Sequence, residues 1–189
     1  MKEPKKSLPS LIEAKQWVLF LDRDGVINQP IIDDYARKPY DFLFTERCIE
    51  ALELLSKSFG KLVLVTNQQG VGKGVMSEAD LENVHLKLYR KLKENNIAYL
   101  DLALYAPYLK KNNHAWRKPN TGMASRALKT LNLEPNTPII MIGDSPGDMA
   151  LADKINAIKV RISTPQFTFD NQDYTFDSLW HFSQYLTQL

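Results

Sequence analysis

The chain has 189 residues, 44% of them hydrophobic, which suffices for one well-buried core and is short for two domains of ordinary size. Its 24 basic and 22 acidic residues leave a net charge of +2, without the strong basic excess of a protein that grips a nucleic-acid backbone nonspecifically. Cys48 is the only cysteine, so an intrachain disulfide and a structural metal held by a thiolate cluster are excluded, and a reducing, cytoplasmic setting is expected.

The opening residues, MKEPKKSLPSLIEAKQ, are positively charged but lead into no apolar segment of the secretory type. Residues 1–15 are expected to form a flexible arm, and residues 16–189 a single domain. No run approaches the roughly 18 apolar residues of a membrane span, so no membrane partner is expected.

Short apolar runs rich in branched residues recur at 17–21, 62–65, 102–106 and 139–142, with 158–162 as a fifth; each reads as a buried strand. Helical spacing lies between them. Ile49, Leu52, Leu55 and Phe59 share one face, and Leu81, Val84, Leu88 and Leu92 share another. Ser77 with Asp80 three residues on has the form of a capping box. Alternating strands and helices predict an α/β protein of three α/β/α layers around a parallel central sheet. In such a sheet ligands bind beyond the carboxyl ends of the strands, which makes the residues after each apolar run the informative ones.

The first run enters Asp22-Arg23-Asp24-Gly25, two carboxylates two residues apart where a buried strand must stop. Taken alone this is also the pattern of a solvated turn. The second run ends in Thr66-Asn67-Gln68-Gln69-Gly70, offering a hydroxyl, an amide and backbone N–H groups suited to phosphate oxygens, although plain loops use the same residues. Beyond the third comes Arg117-Lys118-Pro119, followed by a helical stretch beginning at Thr121-Gly122-Met123. A lysine placed there can offset the charge of a phosphoryl group in transfer, whereas exposed lysines are usually solvated. The fourth run ends in Gly143-Asp144-Ser145-Pro146-Gly147-Asp148; Asp148 can cap a helix starting near Met149, while Asp144 sits close to the strand for that role. Carboxylates from two strand ends, a hydroxyl from a third and a lysine from a fourth meet the needs of phosphoryl transfer with a hard, oxygen-seeking cation such as Mg²⁺.

The ordered set DRDGV, VTN, RKP and GDSPGD resembles the four signature motifs of the haloacid dehalogenase superfamily, over about residues 18–162. Within it, FLDRDGVIN, VTNQQGVGKG and RKPNTGM look most like the histidinol-phosphate and heptose-bisphosphate phosphatase group. The resemblance implies Asp22 as nucleophile and metal ligand. It implies Asp24 as general acid and base, with its backbone carbonyl reaching Mg²⁺ and its pKa nearer neutrality than a free aspartate's. Thr66 and Asn67 would orient the phosphoryl group, Lys118 would stabilise its charge, Asp144 would ligate Mg²⁺, and Asp148 would support that shell by hydrogen bonding. Arg117 and Lys73, which this chemistry does not require, are candidates for holding a second anionic group of the substrate.

The chain departs from the group between the third strand and the lysine motif. There the family typically carries a zinc loop of three cysteines and a histidine; here only His114 stands, so no zinc is expected. His85 and His181 suit helix surfaces or boundaries. Segments 28–45 and 68–116 leave no length for a large cap domain, which implies an open site. The expected substrate is a small phosphorylated metabolite, a sugar phosphate or bisphosphate such as heptose 1,7-bisphosphate. A polynucleotide 3′-phosphate end, whose phosphatases share RKPNTGM-like stretches, and histidinol phosphate are the alternatives, followed by a non-catalytic scaffold.

Overall fold

A computed structural model describes residues 6–97 and 100–189. Strand β1 (Val18–Leu21) is followed by helix α1 (Cys48–Ser58), then β2 (Lys61–Asn67), the short α2 (Gln69–Gly72), α3 (Glu78–Glu94) and β3 (Leu102–Ala106). The second half runs α4 (Gly122–Thr130), β4 (Ile139–Gly143), α5 (Pro146–Lys154), β5 (Ile158–Ile162), β6 (Tyr174–Phe176) and α6 (Leu179–Leu186). The six strands form one sheet in the order β3-β2-β1-β4-β5-β6, every pair parallel.

The period-two alternation of the strands sorts their side chains onto two faces. Leu19, Leu21, Leu62, Leu64, Ile140 and Ile142 meet the apolar faces of α1, α3 and α6, including Leu52, Leu88 and Phe182. Val18, Phe20, Val63, Val65, Ile139 and Met141 meet Met123 and Ala127 of α4 and Leu151 of α5. Three layers result, as the continuous apolar runs predict. The strand β6 carried no such run. It is three residues long, none of them fully buried, and pairs with β5 at the sheet edge.

The expected loose arm gives way in its described part. Leu8 and Ala14 are buried, residues Glu13–Gln16 form a 3-10 turn, and Lys6 Nζ donates to the Asn156 backbone carbonyl at 2.9 Å. Apolar Leu8 and Ala14, spaced between charges, supply the anchor; residues 1–5 lie outside the described residues.

Between β1 and α1 the chain adds a 3-10 turn at Pro39–Asp41 and the isolated bridges Asp24–Asn28 and Asn28–Phe44, but no domain. Among the described residues no helix is long and apolar enough to cross a membrane. Leu21 lies level with Leu64 and Ile142, so β1, β2 and β4 deliver their next residues to a common rim. The chain reverses direction across the sheet between β1 and β4, and the crevice at that reversal is where an open parallel sheet binds ligands.

Candidate active site

Asp22 leaves the end of β1 with its backbone N–H donating to Ile142 O at 2.9 Å, while Arg23 N donates to Asp22 Oδ1 at 2.7 Å. Facing it is Lys118, only 4% exposed. Its ammonium stands 2.9 Å from Asp22 Oδ1 and 2.6 Å from Asp148 Oδ1, and donates to Val65 O at 2.7 Å. Three acceptors at this range suit the three protons of an ammonium and fix its position.

Asn67 holds the lysine's backbone: its Nδ2 donates to Lys118 O at 3.1 Å and its Oδ1 accepts from Lys118 N at 3.0 Å. The resemblance placed this side chain on the phosphoryl group. In the structure both ends of its amide are engaged by Lys118, so the work visible for Asn67 is to position the cation. Thr66 is buried at the end of the same strand, with Oγ1 accepting from Gln68 Nε2 at 3.0 Å.

From the end of β4 come Asp144 and Asp148, both buried. Asp148 Oδ2 accepts from Ser145 N at 3.0 Å and from Ser145 Oγ at 2.6 Å, a reciprocal capping box that starts α5 at Pro146 rather than near Met149. Pro146 explains the earlier start, its fixed φ and missing N–H being suited to the first helical position. Asp144 Oδ2 accepts from Thr164 Oγ1 at 3.1 Å, a contact from the loop after β5. Two glycines permit this packing. Gly25 has φ +80° and a Cβ there would overlap the Asp144 carboxylate; at Gly143 it would overlap that of Asp148.

One oxygen each from Asp22, Asp144 and Asp148 can be chosen with all three within 4.8 Å of one another. Burial chiefly, with Lys118 opposing and Asp148 and Asp24 adding repulsion, lifts Asp22 to about 6. Burial and then repulsion from Asp22 and Asp148 lift Asp144 to about 8. Burial would lower Lys118, but Asp148 and Asp22 outweigh it and raise it above its ordinary value. Three buried carboxylates thus face one buried ammonium, a deficit of positive charge that a hard divalent cation would correct. Because Lys118 and Ser145 already engage the two oxygens of Asp148, Asp22 and Asp144 are the pair best placed to hold it.

Asp24 is gripped from three sides. Arg23 Nη2 donates to both of its oxygens at 3.0 Å, Asn28 Nδ2 to Oδ1 at 2.9 Å, and Gln68 Nε2 to Oδ2 at 2.7 Å. Burial raises its pKa, but the Arg23 charge and these donors prevail and hold it below the ordinary carboxylate value. In the free chain, therefore, the expected shift toward neutrality is reversed, because every donor favours the ionised form. His85 also departs from expectation. It is buried beneath this cluster, its Nε2 3.3 Å from Arg23 Nη1, and burial with the Arg23 charge drives it down to about 4 despite Asp24. Arg23, Asn28, Gln68, His85 and Thr164 were all missed as site residues; only Arg23, a cation between two aspartates, carried a visible signal.

Lys73 Nζ lies 5.2 Å from the Tyr35 ring centroid. Burial holds the Arg117 guanidinium below its ordinary pKa. Arg117 Nη1 donates to Tyr108 O at 3.0 Å. His114 stacks on Tyr108 with centroids 3.4 Å apart and accepts at Nδ1 from Trp116 N at 3.1 Å. His181 is a helix-boundary residue, its Nδ1 2.9 Å from the N-cap Ser178 Oγ.

Residues 18–181 match the polynucleotide kinase 3 phosphatase family. The chain is 35% identical over 175 residues to the D-glycero-alpha-D-manno-heptose-1,7-bisphosphate 7-phosphatase of Mycobacterium tuberculosis, covering 89% of this chain and 90% of that one. It is 37% identical over 147 residues to the D-glycero-beta-D-manno-heptose-1,7-bisphosphate 7-phosphatase of Pasteurella multocida, covering 75% and 77%. Among solved structures, the D,D-heptose 1,7-bisphosphate phosphatase from B. bronchiseptica, complexed with magnesium and phosphate, superimposes with a TM-score of 0.79 at 24% identity over 90% of this chain and 98% of that one.

Proposed function

This chain belongs to the polynucleotide kinase 3 phosphatase family, a branch of the haloacid dehalogenase superfamily, and from that premise we propose that it removes one phosphoryl group from a sugar bisphosphate such as heptose 1,7-bisphosphate. It is a phosphoric monoester hydrolase. The observation that carries the mechanism is the Lys118 ammonium held between Asp22 and Asp148 at the crevice where β1 and β4 diverge.

In this reading Asp22 attacks phosphorus, its oxygen forming a bond as the ester P–O bond breaks, and an aspartyl-phosphate results. Lys118, fixed by Asn67 and Val65, meets the charge that develops on the phosphoryl oxygens. Thr66 lies at the adjoining strand end with a hydroxyl proton to donate to one of them. Asp22 and Asp144, with the Asp24 backbone carbonyl, would hold Mg²⁺, which would supply the charge neutralisation that lets a carboxylate approach a phosphate dianion. Asp148 supports this arrangement through Lys118 and Ser145.

Asp24 gives a proton to the leaving alkoxide and afterwards takes one from the water that hydrolyses Asp22 phosphate. Its low pKa in the free chain suits the second task. An incoming phosphate dianion adds negative charge beside Asp24 and shifts its pKa upward, toward the first.

Arg117 and Lys73, cations that the phosphoryl transfer itself does not require, are proposed to meet the second phosphate of the substrate. A cytoplasmic setting accords with the single, buried Cys48 thiol, which burial pushes up to about 12. Turnover of heptose 1,7-bisphosphate, histidinol phosphate and a 3′-phosphorylated oligonucleotide, each with Mg²⁺ and with EDTA, tests the reading. Fastest Mg²⁺-dependent release from the bisphosphate is expected. Preference for the oligonucleotide would transfer the assignment to nucleic-acid ends, which the family's description names.

A further inference from the structure

Arg23 is the largest of the side chains that are fully buried, although it carries a charge. Burying a guanidinium costs several kcal/mol unless its partners are well placed, and an apolar side chain of similar volume would serve the fold at least as well. The Arg23 guanidinium carbon lies 5.8 Å from the Phe42 ring centroid, and among the described residues its Nε has no hydrogen-bond partner, whereas Nη2 reaches both oxygens of Asp24 at 3.0 Å and Nη1 lies 3.3 Å from His85 Nε2. One terminal nitrogen thus meets the Asp24 carboxylate and the other meets His85.

His85 is anomalous in the same way. It lies on the buried face of α3, whose neighbouring positions are Leu81, Val84, Leu88 and Leu92, where a leucine would continue the pattern. Kept neutral by its burial and by the Arg23 charge, it offers a ring nitrogen lone pair to Nη1. One polar contact chain thereby runs from α3 to the end of β1, from His85 to Arg23 to Asp24.

We propose that Arg23 and His85 are a positioning pair whose function is to aim the Asp24 carboxyl at the oxygen of the leaving group. Arg23 Nη2 holds the carboxylate head-on by contacting both oxygens, and Asn28 on Oδ1 with Gln68 on Oδ2 fix its rotation. His85 fixes the rotation of the guanidinium by engaging its other nitrogen. Without His85 the guanidinium keeps its charge but loses its orientation, so Asp24 remains present and less well directed. Proton transfer to a leaving group is sensitive to such misdirection, because donor and acceptor must come within hydrogen-bond reach in the transition state. The proposal rests on the assignment of Asp24 as proton donor.

The test compares two substrates that differ in their need for that proton. p-Nitrophenyl phosphate releases a phenolate whose conjugate acid is acidic enough for it to depart unprotonated; glycerol phosphate releases an alkoxide whose conjugate acid is not. The quantity measured is kcat/KM, which reports the steps through the first phosphoryl transfer and is blind to later hydrolysis of the phosphoenzyme. His85→Met keeps the volume of the side chain and removes the acceptor, and His85→Gln restores an acceptor near the position of Nε2. Asp24→Asn is the reference for complete loss of the proton donor.

Asp24→Asn is expected to lose far more on glycerol phosphate than on p-nitrophenyl phosphate. His85→Met is expected to show the same preference at smaller size, about tenfold greater loss on glycerol phosphate, and His85→Gln to recover most of it. Thermal melts identify folded variants, with His85→Ala taking the place of His85→Met if the latter does not fold. Equal losses on the two substrates for the His85 variants, alongside a selective Asp24→Asn, would overturn the positioning role and leave Asp24 in place. A non-selective Asp24→Asn would remove the proton-donor assignment, and the pair's proposed function with it.

Discussion

The Lys118 ammonium lies 2.9 Å from the Asp22 carboxylate that it is proposed to assist, and both side chains are almost wholly buried. An ion pair in such a place is costly to break from one side, because the remaining charge is stranded. Lys118→Met should therefore abolish turnover and also destabilise the metal-free fold, by about 3 kcal/mol where Asp22 is ionised. Urea denaturation in EDTA reads the second effect. Unchanged stability would show that Asp22 simply takes up a proton.

Asn67 offers a separable test of the same cation. Its amide meets the Lys118 backbone through two hydrogen bonds, so Asn67→Ala leaves every charge in place and loosens only the position of the lysine. A fall in kcat of about tenfold to a hundredfold is expected, with little change in KM, since misplacement by an ångström acts mainly on the transition state. A change confined to KM would mean that Asn67 meets the substrate after all.

The acid cluster makes metal binding and stability depend on pH in a defined direction. Asp22 and Asp144 have folded-state values raised to about 6 and about 8, above the ordinary 3.8. In that interval the metal-free folded chain holds more protons than the unfolded chain, so these two groups make its stability fall as pH rises from 3.8 to about 8. Mg²⁺ competes with those protons. Calorimetry at neutral pH in buffers of different ionisation enthalpy should detect proton release on Mg²⁺ binding, and the stabilisation by Mg²⁺ in thermal melts should grow with pH. Proton uptake on binding would contradict the proposed ligands.

Arg117→Ala and Lys73→Ala address substrate choice. Each should raise KM for the bisphosphate by about tenfold, equivalent to about 1.4 kcal/mol of binding, and affect p-nitrophenyl phosphate much less, because that substrate lacks a second anion. Equal losses on both substrates would assign these cations to the common chemistry or to the fold. Arg117 also holds Tyr108 O, so its variant carries a thermal melt as control.

How much of this was legible in the sequence follows from how far each signal reaches along the chain. Strands buried on both faces announce themselves as apolar runs, as Val18–Leu21 and Ile139–Gly143 do, and the half-buried Leu102–Ala106 and Ile158–Ile162 still carry enough apolar residues to show their bounds. Tyr174–Phe176 had no such run, because an edge strand of three residues buries little. Asp22, Lys118, Asp144 and Asp148 stood out because carboxylates and a lysine at strand ends contradict the apolar pattern before them. His85 did not. On a helix a histidine at a core position looks like one at a boundary until the fold reveals what lies 3.3 Å from its ring, and Arg23 is 62 positions away. The pKa of Asp24 was misjudged for the same reason, since the donors that lower it come from Asn28 and Gln68 as well as from its neighbour. The arm failed differently: charges at its start masked Leu8 and Ala14, which dock on the core.

Every later step of the reaction depends on Asp22 being the nucleophile, and trapping the phosphoenzyme tests this directly. Acid-quenched single turnovers with a phosphorylated substrate, followed by peptide mass spectrometry, should place one phosphoryl group on Asp22 in the parent chain. Asp22→Asn, folded by its melting transition, should carry none and turn over orders of magnitude more slowly. A phosphoryl group on another residue, or an Asp22→Asn chain retaining about a tenth or more of the parent kcat, would contradict it.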